Sequence, residues 1–328
     1  MHSVLLAPSC AGSGRLQTGV MVSESLALVY LSLAKWLTYL GFLGLTGAVA
    51  GELWVRPRAA FSVGRREEIL GAVSDRFCGV AYVSVGLLLV ATVARLYAQT
   101  YSAFGVEEPV TGELVRVVAL ESRWGELWMP QVVVTIMAIV SAGVIRLHPD
   151  SGWQLSALSV LGLMVTLPMT GHAMASPDDI ALAMTLQPLH GLAAGVWLGT
   201  LAAIVAAFVV LRGPGGEEVL ASLVHAFSPM AVGAVALLLA TGVSTAYLYT
   251  DNWVGLFAST WGRLLALKTL LVLLTCVLGA YHWRLLRPRL GTEPARATFR
   301  RTARLELALA AAVLLVTSVL VHLPKPHE

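Results

Sequence analysis

The sequence predicts an all-α polytopic membrane protein of eight transmembrane helices, and three observations carry that reading. Hydrophobic residues fill 57% of the 328 positions and charged residues only 12%, about half the charged share of a soluble domain. Mean hydropathy is correspondingly high, at +0.77. The apolar residues fall in continuous runs of about 20, enough to cross a bilayer core as helix. A membrane barrel would instead need short alternating segments. A single helix satisfies its own backbone in lipid, so the continuous runs are read as helices.

Taken in order, residues 1–25 form a short N-terminal tail. Its start, MHSVLLAPSC, lacks the basic front and the long apolar stretch of a signal peptide, and Met21 offers an alternative start. Spans at 27–51, 77–99 and 127–147 make a first group within residues 26–152. Spans at 154–173, 189–211, 229–250, 263–284 and 304–323 make a second within 153–328. Pro168 predicts a kink at the end of the fourth span. Ser176-Pro177-Asp178-Asp179 reads as the start of a short helix running toward Gln187, its acids favoured by the helix dipole. Pro188 is then expected to reset the chain into the fifth span. RGPGGEEV at 212–219 reads as a turn followed by a helix start, and Ser228-Pro229 as an N-cap with proline at the first helical position. Cys10, Cys78 and Cys276 form no C-x-x-C pair, which argues against a thiol clamp or a disulfide framework.

Loop charges give an orientation. With both termini extracytoplasmic, fourteen arginines lie in inner loops, against four arginines and Lys325 outside. That is the positive-inside bias of a cytoplasmic membrane protein. Outer loops carry Glu107, Glu108, Glu113, Glu121, Asp178 and Asp179, an anionic face that concentrates cations. Tryptophans at 54, 124, 128, 153, 253, 261 and 283 lie near span ends and read as interfacial anchors. The lipid bilayer is the expected partner, and no stretch points to nucleic acid.

The chemistry concentrates at TLPMTGHAMASPDDIALAMTLQPLHGLAAGVWL, residues 166–198. His172 and His190 sit where the fourth span ends and the fifth begins, with Met169, Met174 and Met184 close in sequence. Imidazole and thioether together suit copper, the thioether favouring Cu(I), better than zinc or magnesium. Met169 and His172 share a helix face, as do His190 and Trp197. Lys268 is placed below this cluster, and with Trp197 it is a candidate for the transport path. Lys35, Arg95 and Lys268 have stems long enough to snorkel outward. On the inner side, His225 and His282 read as headgroup residues, and Glu306 is expected to pair with Arg284. An outer and an inner histidine pair also keep open b-type haem ligated by two histidines on each side of the bilayer. Neither a Walker A loop nor a D-K-T-G or H-E-x-x-H motif is present, and no nucleophile–base pair stands out. The expectation is a chain that is not an enzyme and drives no ATP-powered pump.

Several stretches resemble the copper resistance protein D family of bacterial inner-membrane proteins. They are TGHA at 170–173, LHGLAAGVWLG at 189–199, FSPMAVGAVALLLATG at 227–242, WGRLLALK at 261–268, LGAYHWRLLRPRL at 278–290 and RRTARLELALAAAVLLVTSVLVHLPKP at 300–326. The resemblance runs from the fourth span onward. It implies eight transmembrane helices, a role in copper transport or tolerance, and a periplasmic copper carrier as partner, and it supports His172 and His190. Two departures stand out. Thr200 follows WLG where a second glycine is usual, which is expected to loosen helix packing, and Gln187-Pro188 replaces an acid before Leu189-His190. The resulting expectation is copper import through an outward-facing His/Met site. The alternatives are haem electron transfer and a non-transporting membrane partner of a copper carrier.

Overall fold

The computed structural model describes residues 13–63, 66–105, 108–171, 180–248 and 259–323, with side chains from residue 24 onward. Eight helices are long and apolar enough to cross a membrane. They are α1 (Glu24–Val63), α2 (Glu67–Phe104), α4 (Arg123–Leu147), α5 (Pro149–Met169), α6 (Ile180–Ala207), α7 (Gly216–Tyr247), α8 (Thr260–Arg289) and α9 (Glu293–Leu320). A short helix, α3 (Gly112–Leu120), joins α2 to α4 and is capped by Thr111. Helical backbone continues from α1 back to Ser13, so part of the expected tail is helix. The span count is as the sequence predicts.

Several helices start earlier than their apolar runs, for a common reason. At the start of α7, Val219, Leu220, Leu223, Val224 and Phe227 are buried. At the start of α9 the same holds for Ala295, Phe299 and Ala303, and at the start of α2 for Leu70, Val73 and Phe77. These residues recur at helical spacing, so an apolar stripe continues the helix after the polar face has left the bilayer. Ser228-Pro229 is therefore mid-helix, not an N-cap: Ser228 Oγ donates back to Val224 O at 2.6 Å. Pro188 likewise lies inside α6 instead of resetting the chain. Both helices continue through their proline. α5 ends at Met169, one residue after Pro168, short of the expected limit at 173. The expected start at Ser176–Asp179 lies outside the described residues.

All eight spans form one bundle, with α1 at its centre. It packs on α2 from the first group of spans, and on α5, α6 and α9 from the second. The α4–α5 and α8–α9 pairs are antiparallel hairpins, and α6 packs on α7. Outward faces are apolar, as at Val83, Val93, Leu273 and Val277. The tryptophans divide into two kinds. Trp54 and Trp283 are exposed as anchors, whereas Trp128, Trp153 and Trp261 are buried between helices.

Among the described residues three wide π-turns interrupt the spans: Gly51–Val55 in α1, Gly195–Gly199 in α6 and His282–Leu286 in α8. Such turns often mark functional positions. Here they carry Glu52, Trp197 and His282, all buried. The α6 turn also makes the closest helix crossing. A Cβ on Gly199 would lie 1.9 Å from Leu43 O, and one on Gly195 would lie 2.7 Å from Thr46 Cβ. Gly195-x-x-x-Gly199 thus supplies the small surface that lets two backbones touch. Thr200 is fully buried beside it.

Candidate metal site

The loops divide the bundle into an arginine-poor end, where α1 begins, and an arginine-rich end. His190 lies in α6 toward the arginine-poor end and faces α7. Its Nδ1 is 3.0 Å from Thr241 Oγ1. That hydroxyl has one proton, donated to Leu237 O at 2.7 Å. Hydrogen-bond accounting therefore makes Thr241 the acceptor and His190 Nδ1–H the donor. With Nδ1–H as that donor, Nε2 keeps a lone pair, the form in which an imidazole ligates a metal. The partner residue fixes the ring as an outer-shell group fixes a ligating histidine. Lys268 of α8, half-buried, is near enough to act on His190 electrostatically.

The remaining donors are placed less tightly. Met169 is the half-buried last residue of α5. Met184 is half-buried in the first turns of α6. Six residues separate it from His190, which places the two about 120° apart around the helix. His172 and Met174 lie outside the described residues. Among the described residues no group of three or more His, Cys, Asp or Glu gathers as a metal cage. Trp197, seven residues beyond His190 and about 10 Å deeper along α6, is buried and reaches a different group, described below.

Beside α5's last turn sits a cationic pair. Lys35 and Arg95 do not snorkel; both are buried, each 6% exposed. Lys35 Nζ donates to Leu167 O at 3.3 Å, and Arg95 donates to Gln131 Oε1 and to Thr170 Oγ1, each at 2.5 Å. The acceptors from α5 come from its C-terminal end, whose free carbonyls carry the negative pole of the helix. The Arg95 hydrogen bond also ties down Thr170, the first residue of TGHA.

The second constellation lies toward the arginine-rich end. Glu306 of α9 does not pair with Arg284, which is exposed and stacks on Trp283. Its partner is His282: Nδ1 to Oε2 is 2.8 Å, and the side chains are 9% and 1% exposed. The π-turn that starts at His282 turns that ring inward and leaves Arg284 outside. Beyond the imidazole, both Glu306 oxygens lack a hydrogen-bond donor. His282 Nε2 is 2.7 Å from Thr302 Oγ1, and Phe299 meets the ring edge-on at 4.9 Å. A Cβ on Gly279 would stand 3.3 Å from Trp197 Cζ2 and 3.5 Å from Glu306 Oε1, so Trp197 closes over the carboxylate. His282 is therefore no headgroup residue. His225 does match that reading: it is exposed and its Nδ1 donates to Ala221 O of its own helix. With both nitrogens of His282 engaged, the inner histidine pair is not arranged for haem. A carboxylate inside a span is a sequence signal of a buried polar contact, but not of its partner.

An eight-span helical bundle with buried histidine and carboxylate side chains inside its spans is a polytopic membrane protein. Two family models match it: copper resistance protein D-like, N-terminal domain, over residues 25–182, and copper resistance protein D over residues 221–320. The chain belongs to the copper resistance protein D family, and the resemblance seen from the fourth span onward extends through the first half. It is 28% identical over 218 residues to the copper transport protein CutJ of Bacillus subtilis, covering 65% of this chain and 39% of that protein. It is 27% identical over 204 residues to the inner membrane protein YebZ of Escherichia coli, covering 61% of this chain and 69% of that one. The chain thus matches well under half the length of the Bacillus relative. No solved structure matches. The family and the eight apolar helices make this a multi-pass inner-membrane protein with a role in copper handling.

Proposed function

We propose that this protein is a copper permease, not an enzyme, and that it imports the ion across the cytoplasmic membrane. In this reading the arginine-rich end faces the cytoplasm, by the positive-inside bias. The arginine-poor end faces outward with its acidic loops, which draw copper or a periplasmic copper carrier. His190 captures the ion, with His172 and the methionines Met169, Met174 and Met184 as further donors from the α5–α6 connection. Trp197 and Lys268 flank the way inward. The observation that carries this reading is the His190–Thr241 hydrogen bond, which leaves Nε2 ready to ligate. The name of the Bacillus relative, a copper transport protein, agrees with it.

The test is copper content and uptake. Purified wild-type protein is expected to bind copper and to admit it into proteoliposomes without a partner protein. The double variant His172→Ala/His190→Ala is expected to lose most of both. Copper content unchanged in the double variant would reject the entry site. Binding without uptake would leave a non-transporting partner of a copper carrier as the role, and a Soret band lost in His190→Ala would establish haem instead.

A further inference from the structure

The His282–Glu306 pair continues into a third group, Thr302, and the chain so formed has two fully hydrogen-bonded states. Among the described residues the imidazole is the sole group paired with Glu306, whose side chain is 1% exposed. Nδ1–H donates to Oε2 at 2.8 Å, since a lone pair turned toward the carboxylate would leave a buried charge unpaired. On the far side of the ring, Nε2 lies 2.7 Å from Thr302 Oγ1. That hydroxyl has a choice of acceptor. When it donates to Thr298 O at 2.9 Å, Nε2 must carry a hydrogen and donate to Thr302. When it turns to the ring, it donates to an Nε2 lone pair. The first state is an imidazolium–carboxylate pair, and the second a neutral imidazole beside a carboxylate. They differ by one proton, and each leaves both ring nitrogens satisfied.

We propose that His282, Glu306 and Thr302 form a proton-exchange site, which gives up a proton as copper moves through the protein and regains it afterwards. Its biological sense rests on the copper-transport reading, while the proton site stands on its own geometry. Glutamate and histidine chains inside spans are where membrane transporters carry protons. A proton needs no cavity, and the walls here are close: Phe299 meets the ring at 4.9 Å and Trp197 lies over the carboxylate. On release the Nε2–H bond breaks and the Thr302 hydroxyl turns to the lone pair. The proton leaves to water past half-buried Thr302, toward exposed Arg301 and Arg304. The site is then left with one negative charge, which a dry surrounding disfavours unless a cation is near. A copper ion in the bundle therefore favours release. The neighbouring groups leave the exchange to this pair. α8 adds Cys276, on whose thiol the carboxylate acts, and Tyr281, whose ring lies 6.2 Å from that of His282. α6 adds Trp197. α1, also packed on α9, has its buried charges engaged elsewhere, Lys35 with Leu167 O and Glu52 with Arg56.

Glu306→Gln separates the exchange from the fold, because the glutamine carbonyl still accepts from Nδ1–H while the charge is gone. The site is read first without copper, by nitrogen NMR of full-length protein carrying labelled histidine, with the His282 signal assigned by its loss in His282→Gln. In wild type that signal is expected to pass from the singly to the doubly protonated ring as the pH is lowered. In Glu306→Gln it is expected to stay singly protonated. The coupling is read in proteoliposomes holding a pH-sensitive dye, with copper and proton movement followed together. Wild type is expected to release protons in step with copper entry, and Glu306→Gln to lose most of that release while keeping copper bound at His190. A His282 ring that holds one form at every pH, or that titrates alike in both proteins, overturns the site. Copper entry with no proton release, or with equal release in both proteins, overturns the coupling. A His282 ring that titrates only with Glu306 present, in a wild type that admits no copper, upholds the proton site and overturns the permease reading instead.

Discussion

Gly47 and Gly199 meet so closely that neither tolerates a side chain: a Cβ on Gly47 would lie 1.8 Å from the carbonyl carbon of Gly199. The contact joins α1 to the π-turn of α6, and so positions the helix that carries both His190 and Trp197. Gly47→Ala or Gly199→Ala should lower stability by about 3 kcal/mol, since the obstacle is backbone and cannot rotate away. Gly86→Ala is the control. Nothing lies within 4 Å of that added carbon, and alanine favours helix by about 1 kcal/mol. Unfolding in mixed detergent micelles measures both. Equal stability of the three variants would contradict the crossing.

Arg95 offers a second stability test through its acceptor. Gln131→Leu leaves a buried guanidinium with Thr170 as its remaining side-chain hydrogen-bond acceptor among the described residues. A loss of about 3 kcal/mol is expected, the scale of a buried charge deprived of its partner. Arg95→Met/Gln131→Leu removes both members and should recover much of that loss. The double-mutant cycle reports the coupling, and strict additivity would show that the hydrogen bond contributes nothing.

These two contacts mark the boundary of what the sequence discloses. Helix number and spacing were legible because each span is a local run of apolar residues, and lipid requires it to be helical. His190 was legible as a polar group held inside a span because it sits alone at the start of an apolar run. The fate of Lys35 and Arg95 was not, because what buries them is the C-terminal end of α5, more than 70 residues away. Glu306 was expected opposite the wrong partner because a single π-turn in α8 rotates His282 inward, and its sequence, HWRLL, has no local signature of that extra residue. The span limits fell short where buried stripes, such as Val219–Leu223 and Phe299–Ala303, continue beneath polar surface.

Thr241 tests the entry site without touching a proposed ligand. Thr241→Val removes the acceptor that fixes the His190 tautomer. Copper affinity is expected to fall ten- to a hundredfold, the usual cost of losing an outer-shell partner. Thr241→Ser keeps the hydroxyl and should restore binding. Titration of the purified protein with copper reads all three. Equal affinity in the valine variant would separate His190 from the metal.

Lys268 should oppose the ion that His190 binds. Its charge acts on the imidazole across the α6–α8 interface, and a copper ion on Nε2 would feel the same repulsion. Lys268→Met removes the charge and keeps the apolar stem. At the dielectric of a partly buried pair, the expected gain is about 1 kcal/mol, or roughly three- to tenfold tighter copper binding. Lys268→Arg keeps the charge and should stay near wild type. The same change should slow uptake at saturating copper, because an ion held more tightly at the entrance leaves it more slowly. Tighter binding with slower uptake would place Lys268 beside the path as an electrostatic brake on retention. A methionine variant with wild-type affinity would mean that copper does not reside at His190.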